Sequence, residues 1–422
     1  MPPEPEIGST LEPRIEIDSL CGELAALALI SENEPPVVTR VVFNEADLRA
    51  RAYVKGLCAD ARLTVTVDAI GNTFARWHGS ELDLAPIGTG SHIDAIPNAG
   101  SFDGTVGVLG GLEAIRALQR TGYAPRRSIE LVIFTAEEPT RFGIGCLGSR
   151  MMGHVLSPAA ALALRDKQDR CLDELRKNAE FAGPLESVAQ PKGRFHQFVE
   201  LHIEQGPLLE KEGIDLGLVT HIAAPASLRI EIEGEGGHAG GKLMPGRKDA
   251  LVAAAELILT LESAAKSTGA VDTVGTVGVC EVFPSAVNSI PSCVRMETDI
   301  RDIDGGRRDS VLTALKNACT DVANRRGVVI TTSLVNADPP TTCDLSILAA
   351  LEASAQDAGH TYKRMVARAY HDSSFVACIA PVAMLFIPCR GGVSHRPDEY
   401  ASPEWIESGV NVLARTLARL AE

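Results

Sequence analysis

The stretch GTGSHIDAIPNAGSFDG, residues 88–104, reads as a strand, a loop and the start of a helix. A short strand led in by Pro86 and Ile87 ends on His92. Asp94 follows two residues later, and the alternation of a strand end puts both side chains on one side. One of the two can then ligate while the other orients it. A Pro/Asn/Gly loop delivers Asp103 on a tight FDG turn, where Gly104 lets the backbone approach closely. Imidazole and carboxylate converging from a strand end and its following loop suit a divalent transition metal. Standing alone, the stretch would read better as a buried histidine capped by a loop carboxylate. Three further segments of ligand type shift that balance.

Working outward, Thr105 to Arg120 is an amphipathic helix in which Gly107, Gly110 and Gly111 permit close packing. IELVIF, residues 129–134, is a continuous apolar run fit for a buried central strand. It runs into Thr135-Ala136-Glu137-Glu138. Two adjacent carboxylates at a strand exit are costly to bury unless a cation offsets them. One can bind metal while the other faces substrate as a base. Phe198 to Ile203 is again strand-like and carries His202, followed by Glu204-Gln205-Gly206-Pro207. VAMLFI, residues 382–387, is another buried strand, and the loop CRGGVSHRPDEY after it carries His395. Strands alternating with helices predict an α/β fold with a central mixed sheet flanked by helices, its site at the strand ends.

Near residue 222 the character changes. LRIEIE, residues 228–233, alternates strictly, as in a sheet with one wet face. GEGGHAGGKLMPGR follows, then helices over 248–262 and 307–325, with strands over 271–282, 294–301 and 328–333. The expected organisation is a loose arm over 1–15, a catalytic domain over 16–221 and 334–422, and an inserted α+β domain over 222–333.

Composition narrows the function. A net charge of −15 argues against nucleic acid and anionic membrane surfaces as partners. The ten cysteines are scattered without a CxxC pair, which points to free thiols in a reducing compartment. The N-terminal residues have neither the apolar core of a secretory signal nor the arginines of a transit peptide. No apolar run approaches membrane-spanning length. A cytoplasmic enzyme is expected.

Collected, His92, Asp103, Glu138, His202 and His395, with Glu137 beside them, would hold two divalent ions sharing one carboxylate. The segments GSHIDAIPNAGSFDG, FTAEEPTRFG, HIEQGP, GGHAG, NSIP, DIRD and GGVSHRPDE resemble the aminoacylase/carboxypeptidase-like metallopeptidase superfamily. Within it, they resemble the amidase, carbamoylase and hydantoinase branch. EEPTRFGIGCLGSR, IAAPASL, AYHDSSF and FIPCRGGVSHRPDEY are similar to the ureidoglycolate amidohydrolase subgroup and its neighbours.

The resemblance implies roles residue by residue. His92, Asp103 and His202 would hold one ion, and Asp103, Glu138 and His395 the other. Asp94 would orient His92, and Glu137 would be the general base. The inserted domain would dimerise and close over the site, with His238 reaching the partner subunit's site in a homodimer. Asn288 and Arg301 would bind the carboxylate of a small substrate, and Gln205 would help position it. Manganese is the ion the branch implies, with zinc the alternative.

The activity implied is hydrolysis of a non-peptide C–N bond with release of ammonia. Hydrolytic deamination of 5-nitroanthranilate to 5-nitrosalicylate is the preferred reaction. Ureidoglycolate, allantoate or an N-carbamoyl amino acid is the alternative substrate. An exopeptidase of the same fold, or a binding module that has lost its chemistry, are the readings from other classes. The second expects a missing base or ligand, and Glu137 and all five ligand residues are present.

Overall fold

A computed structural model describes residues 12–422. The chain divides into two compact units. Among the described residues, the first comprises 12–220, 343–365 and 371–422, and the second 221–342 and 366–370. Of the arm expected over 1–15, residues 1–11 lie outside the described residues. Pro13 and Arg14 lend their carbonyls to Asn411 Nδ2 at 3.0 Å and Arg120 Nη2 at 2.8 Å.

The first unit is built on a mixed sheet. Its strands lie in the order Leu216–Ile222, Val382–Ile387, Gln197–Ile203, Ile87–His92, Ile129–Phe134, Thr73–Trp77 and Thr64–Val67. The central members Val382–Ile387, Gln197–Ile203, Ile87–His92 and Ile129–Phe134 run parallel. That is why Ile129–Phe134 and Val382–Ile387 are apolar throughout. Both faces of a parallel sheet are covered, and every residue of these two strands is buried. The parallel register also carries His92, Phe134 and His202 towards one edge of the sheet, since His92 pairs with Phe134 and Phe386 with His202.

Helices Thr105–Arg120 and Pro403–Leu420 pack closely on the sheet. A Cβ at Gly107 would come within 2.3 Å of the Leu201 carbonyl, and one at Gly409 within 2.4 Å of Ile387 Cγ2. Glycine at these places sets how near the helices lie. The residues after His92, expected as loop, include a strand, Ala95–Ala99, paired antiparallel with Val38–Arg40. Pro97 fits there because this two-stranded ribbon is all edge, where a missing N–H is tolerated. Strand Tyr362–Ala367 was likewise not anticipated, because its lysine and arginine obscure the alternation.

The second unit is an α+β layer. Its antiparallel sheet has the order Val274–Phe283, Cys293–Asp302, Ala224–Glu233 and Val329–Ala337. Leu228, Ile230 and Ile232 point into a core shared with helices Ala250–Ser267 and Gly305–Arg326. Arg229 and Glu231 face outward and pair with Glu297 and Arg295. Among the described residues, no helix is long and apolar enough to cross a membrane.

Candidate metal centre

His92 ends its strand fully inside the first unit, 2 % exposed. Its Nδ1 lies 3.0 Å from the Asp94 carbonyl oxygen, which fixes the proton on Nδ1 and leaves Nε2 as the ligating atom. His202 repeats the arrangement, with Nδ1 2.9 Å from the Ile203 carbonyl. The two rings lie 6.1 Å apart, centre to centre.

Asp103 stands between the imidazoles and the third histidine. Its Oδ1 is 3.5 Å from His92 Nε2 and 3.2 Å from His202 Nε2. Its Oδ2 is 3.5 Å from His395 Nε2, which is itself 3.1 Å from Glu138 Oε1. Two groups result, His92–Asp103–His202 and Asp103–Glu138–His395, each with its donor atoms within 4.8 Å of one another. One carboxylate thus offers a different oxygen to each group. This donor set of imidazole nitrogens and carboxylate oxygens, with backbone carbonyls holding the far ring nitrogens of His92 and His202, fits a pair of divalent cations.

Electrostatics follow from the crowding. Burial pushes the Asp103 carboxyl up, but the His202 and His92 imidazoles outweigh it and hold it well below the usual range. Burial raises the Glu137 carboxyl well above its ordinary value; His92 opposes the shift and Glu138 adds to it. Asp94 is raised to about 6, again chiefly by burial. The bond to Glu138 lifts His395 to about 9. A cavity holding this many carboxylates calls for added positive charge.

Three residues named from the sequence have specific partners in the structure. Asp94 holds His92 through its main-chain carbonyl, while its carboxylate is 3.7 Å from the ring. The carboxylate instead accepts the backbone N–H groups of Glu137 and Glu138, at 3.2 and 3.0 Å. Gln205, expected to position substrate, donates from Nε2 to Asp103 Oδ2 at 2.6 Å. Arg301, expected to take a carboxylate with its fork, is already paired with Asp299 at 2.8 and 3.0 Å. Local spacing shows which residues stand at a strand end; it does not show which neighbour reaches them first.

His238, Asn288 and Arg301 belong to the second unit. His238 is exposed, and its Nδ1 accepts from the backbone of Gly240 and Gly241, both at 3.1 Å. That cap leaves Nε2 as the outward, proton-bearing nitrogen. Asn288 lies alongside, its carbonyl accepting from Ala239 at 2.8 Å.

Other groups at the centre were missed from the sequence. Glu399 accepts from the backbone of Phe102 at 2.7 Å and Asp103 at 3.0 Å, and from Ser394 at 2.9 Å. It thereby ties the Asp103 turn to the His395 loop. Asp372 is wholly buried and takes the Ser149 hydroxyl at 2.5 Å. Cys146 places its sulphur 3.4 Å from Glu137 Oε1. A reading of the cysteines by their spacing alone passes over a thiol used as a hydrogen-bond donor.

The pattern of Peptidase family M20/M25/M40 matches residues 88–419. A ureidoglycolate hydrolase of Oryza sativa subsp. japonica is 48 % identical over 414 residues, covering 96 % of this chain and 85 % of that protein. An N-carbamoyl-L-amino acid amidohydrolase of Geobacillus stearothermophilus is 36 % identical over 97 % of this chain and 99 % of its own. The crystal structure of AtUAH in complex with glyoxylate superposes with a TM-score of 0.88 at 47 % identity, covering 97 % of this chain and 99 % of that one. Since the match runs through every ligand segment from His92 to His395, the chain belongs to Peptidase family M20/M25/M40, a metal-dependent family.

Proposed function

We propose that this protein is an amidohydrolase that cleaves a non-peptide C–N bond in a small ureido carboxylate, ureidoglycolate first, and releases ammonia. The observation that carries the reading is Asp103 presenting separate oxygens to two ligand groups, beside Glu137 and within a chain so similar to a ureidoglycolate hydrolase. The nitroaromatic amine preferred from the sequence has no support among the relatives named above; its alternative does. A second crystal structure of AtUAH holds (S)-hydroxyglycine. Hydroxyglycine and glyoxylate are successive fragments of ureidoglycolate. Water adds to the ureido carbon and its bond to the glycolate nitrogen breaks, giving hydroxyglycine and carbamate. Hydroxyglycine then loses ammonia to become glyoxylate, and carbamate gives ammonia and carbon dioxide.

His92, Asp103 and His202 would hold one ion, and Asp103, Glu138 and His395 the other, manganese in preference to zinc. When bound, such ions polarise a carbonyl and acidify water. Glu137 is the base that takes the proton of the attacking water and returns it to the departing nitrogen. Its side chain is only 11 % exposed and its Oε2 stands 3.8 Å from His92 Nε2. Burial favours this role by raising its proton affinity. Arg301 and Asn288 bind the substrate carboxylate, and His238 acts across subunits of a homodimer to stabilise developing negative charge.

The deciding experiment is a panel of ureidoglycolate, an N-carbamoyl amino acid, allantoate and 5-nitroanthranilate, each with manganese, assayed for ammonia. Ureidoglycolate is expected to give the highest kcat/KM. Ammonia from 5-nitroanthranilate alone would overturn the substrate assignment, and turnover of dipeptides alone would overturn the amidohydrolase reading.

A further inference from the structure

The two oxygens of Glu137 have different neighbours. Oε1 accepts from the Cys146 thiol at 3.4 Å, whereas Oε2 faces His92 Nε2 at 3.8 Å. One oxygen is therefore anchored on sulphur and the other lies on the side of the ligands.

The backbone puts the thiol there. Cys146 N donates to the Glu137 carbonyl at 2.7 Å, Leu147 N to that of Ala136 at 2.9 Å, and Gly148 N to that of Thr135 at 2.8 Å. Three successive bonds join the exit of strand Ile129–Phe134 to the start of helix Leu147–Met152. Ala136 and Cys146 both adopt left-handed backbone, at φ 54° and 55°. Such conformations cost about 1 kcal/mol or more for residues with a side chain, and persist where the surroundings over-determine them. Ser149 adds a further anchor, sharing its hydroxyl between the Cys146 carbonyl at 3.2 Å and Asp372 Oδ1. Cys146 is wholly buried, so this arrangement is internal to the site.

We propose that Cys146 is a positioning residue for Glu137: its S–H holds Oε1, so that Oε2 is the oxygen that receives and returns the proton. The inference rests on Glu137 being the base, as proposed above. A thiol suits the task because it is a weak donor. It orients the carboxylate while drawing off less of its charge than a hydroxyl would.

Cys146→Ala and Cys146→Ser test it. All three residues have an unbranched Cβ, so the left-handed backbone costs them about the same. Cys146→Ala is expected to lower kcat about tenfold, a part of the ~10²–10⁴ that a general base contributes, with KM and metal content unchanged. Cys146→Ser, which keeps a donor, is expected to recover most of that loss. Wild-type kcat in Cys146→Ala overturns the proposal, as does an equal loss in both variants or a loss confined to KM. Glu137→Gln is measured beside them, and turnover surviving there defeats the base assignment itself. Should Cys146→Ala fail to fold, the infrared S–H band of Cys146 decides, identified by subtracting the spectrum of Cys146→Ser. The proposal requires that band to move in Glu137→Ala, and a band that stays in place overturns it.

Discussion

Asp94 Oδ2 accepts the backbone N–H of Glu138 at 3.0 Å. The residue that lends its carbonyl to His92 Nδ1 thus also braces the strand exit bearing both glutamates. One aspartate aligns two ligand segments. Replacing Asp94 with Asn removes one acceptor oxygen and puts a donor against an N–H. Metal affinity is expected to fall about 10–100-fold, as for other partners that orient ligands, measured by competition with a chromophoric chelator.

Gly104 sits against His92. A Cβ there would lie 2.4 Å from His92 Nε2, and the residue has φ +67°. Gly104→Ala must displace the imidazole or the turn. Bound metal, read by elemental analysis, is expected to drop sharply while far-UV circular dichroism stays native. Full metal content in this variant would show that the Asp103 turn is softer than its packing implies.

Glu137→Gln keeps the shape of the side chain and removes its basicity. Turnover of ureidoglycolate is expected to fall about 10²–10⁴-fold with metal content unchanged. Near-normal turnover would assign the base elsewhere.

Metal removal should destabilise the first unit. Asp94, Asp103 and Glu138 are buried together, and a cation that binds only the folded state offsets their repulsion. With free ion at one hundred times Kd, the linkage is about 2.7 kcal/mol per site, and it grows with concentration. Scanning calorimetry with and without chelator is expected to show a lower Tm in the chelated sample. A Tm that ignores the ion would count against a preformed two-ion site.

Arg301 has a fork that Asp299 already occupies, with both side chains about one-third exposed. A surface pair of this kind contributes ~0–1 kcal/mol, so Arg301→Lys should leave Tm nearly unchanged. If the fork is released to a substrate carboxylate, the same change raises KM about 10-fold or more through loss of bidentate bonding. An unaltered KM would return Arg301 to a purely structural pairing with Asp299.

That these candidate ligand residues would gather was legible in the sequence because each lies in, at the end of or just after a strand, and a parallel sheet collects strand ends along one edge. His92, Glu138, His202 and His395 are all found that way. Strict alternation at 228–233 likewise announced a one-sided sheet, whose inward residues are fully buried. The strand Ala95–Ala99 was hidden by its proline, asparagine and following glycine, which local preference assigns to loops.

The sequence by itself determined which side chains have the chemistry to hold two cations, and that they lie at strand ends. Those are properties of residue type and of short-range periodicity. Only the tertiary structure decided which atom serves which partner. Asp103 divides its oxygens, Asp94 uses carbonyl and carboxylate for different tasks, and Cys146 takes one oxygen of Glu137. Glu399 meets the backbone of Asp103 across 296 residues of chain. Bonds of that kind are set by how loops dock on a finished sheet, and no local pattern along the chain encodes them.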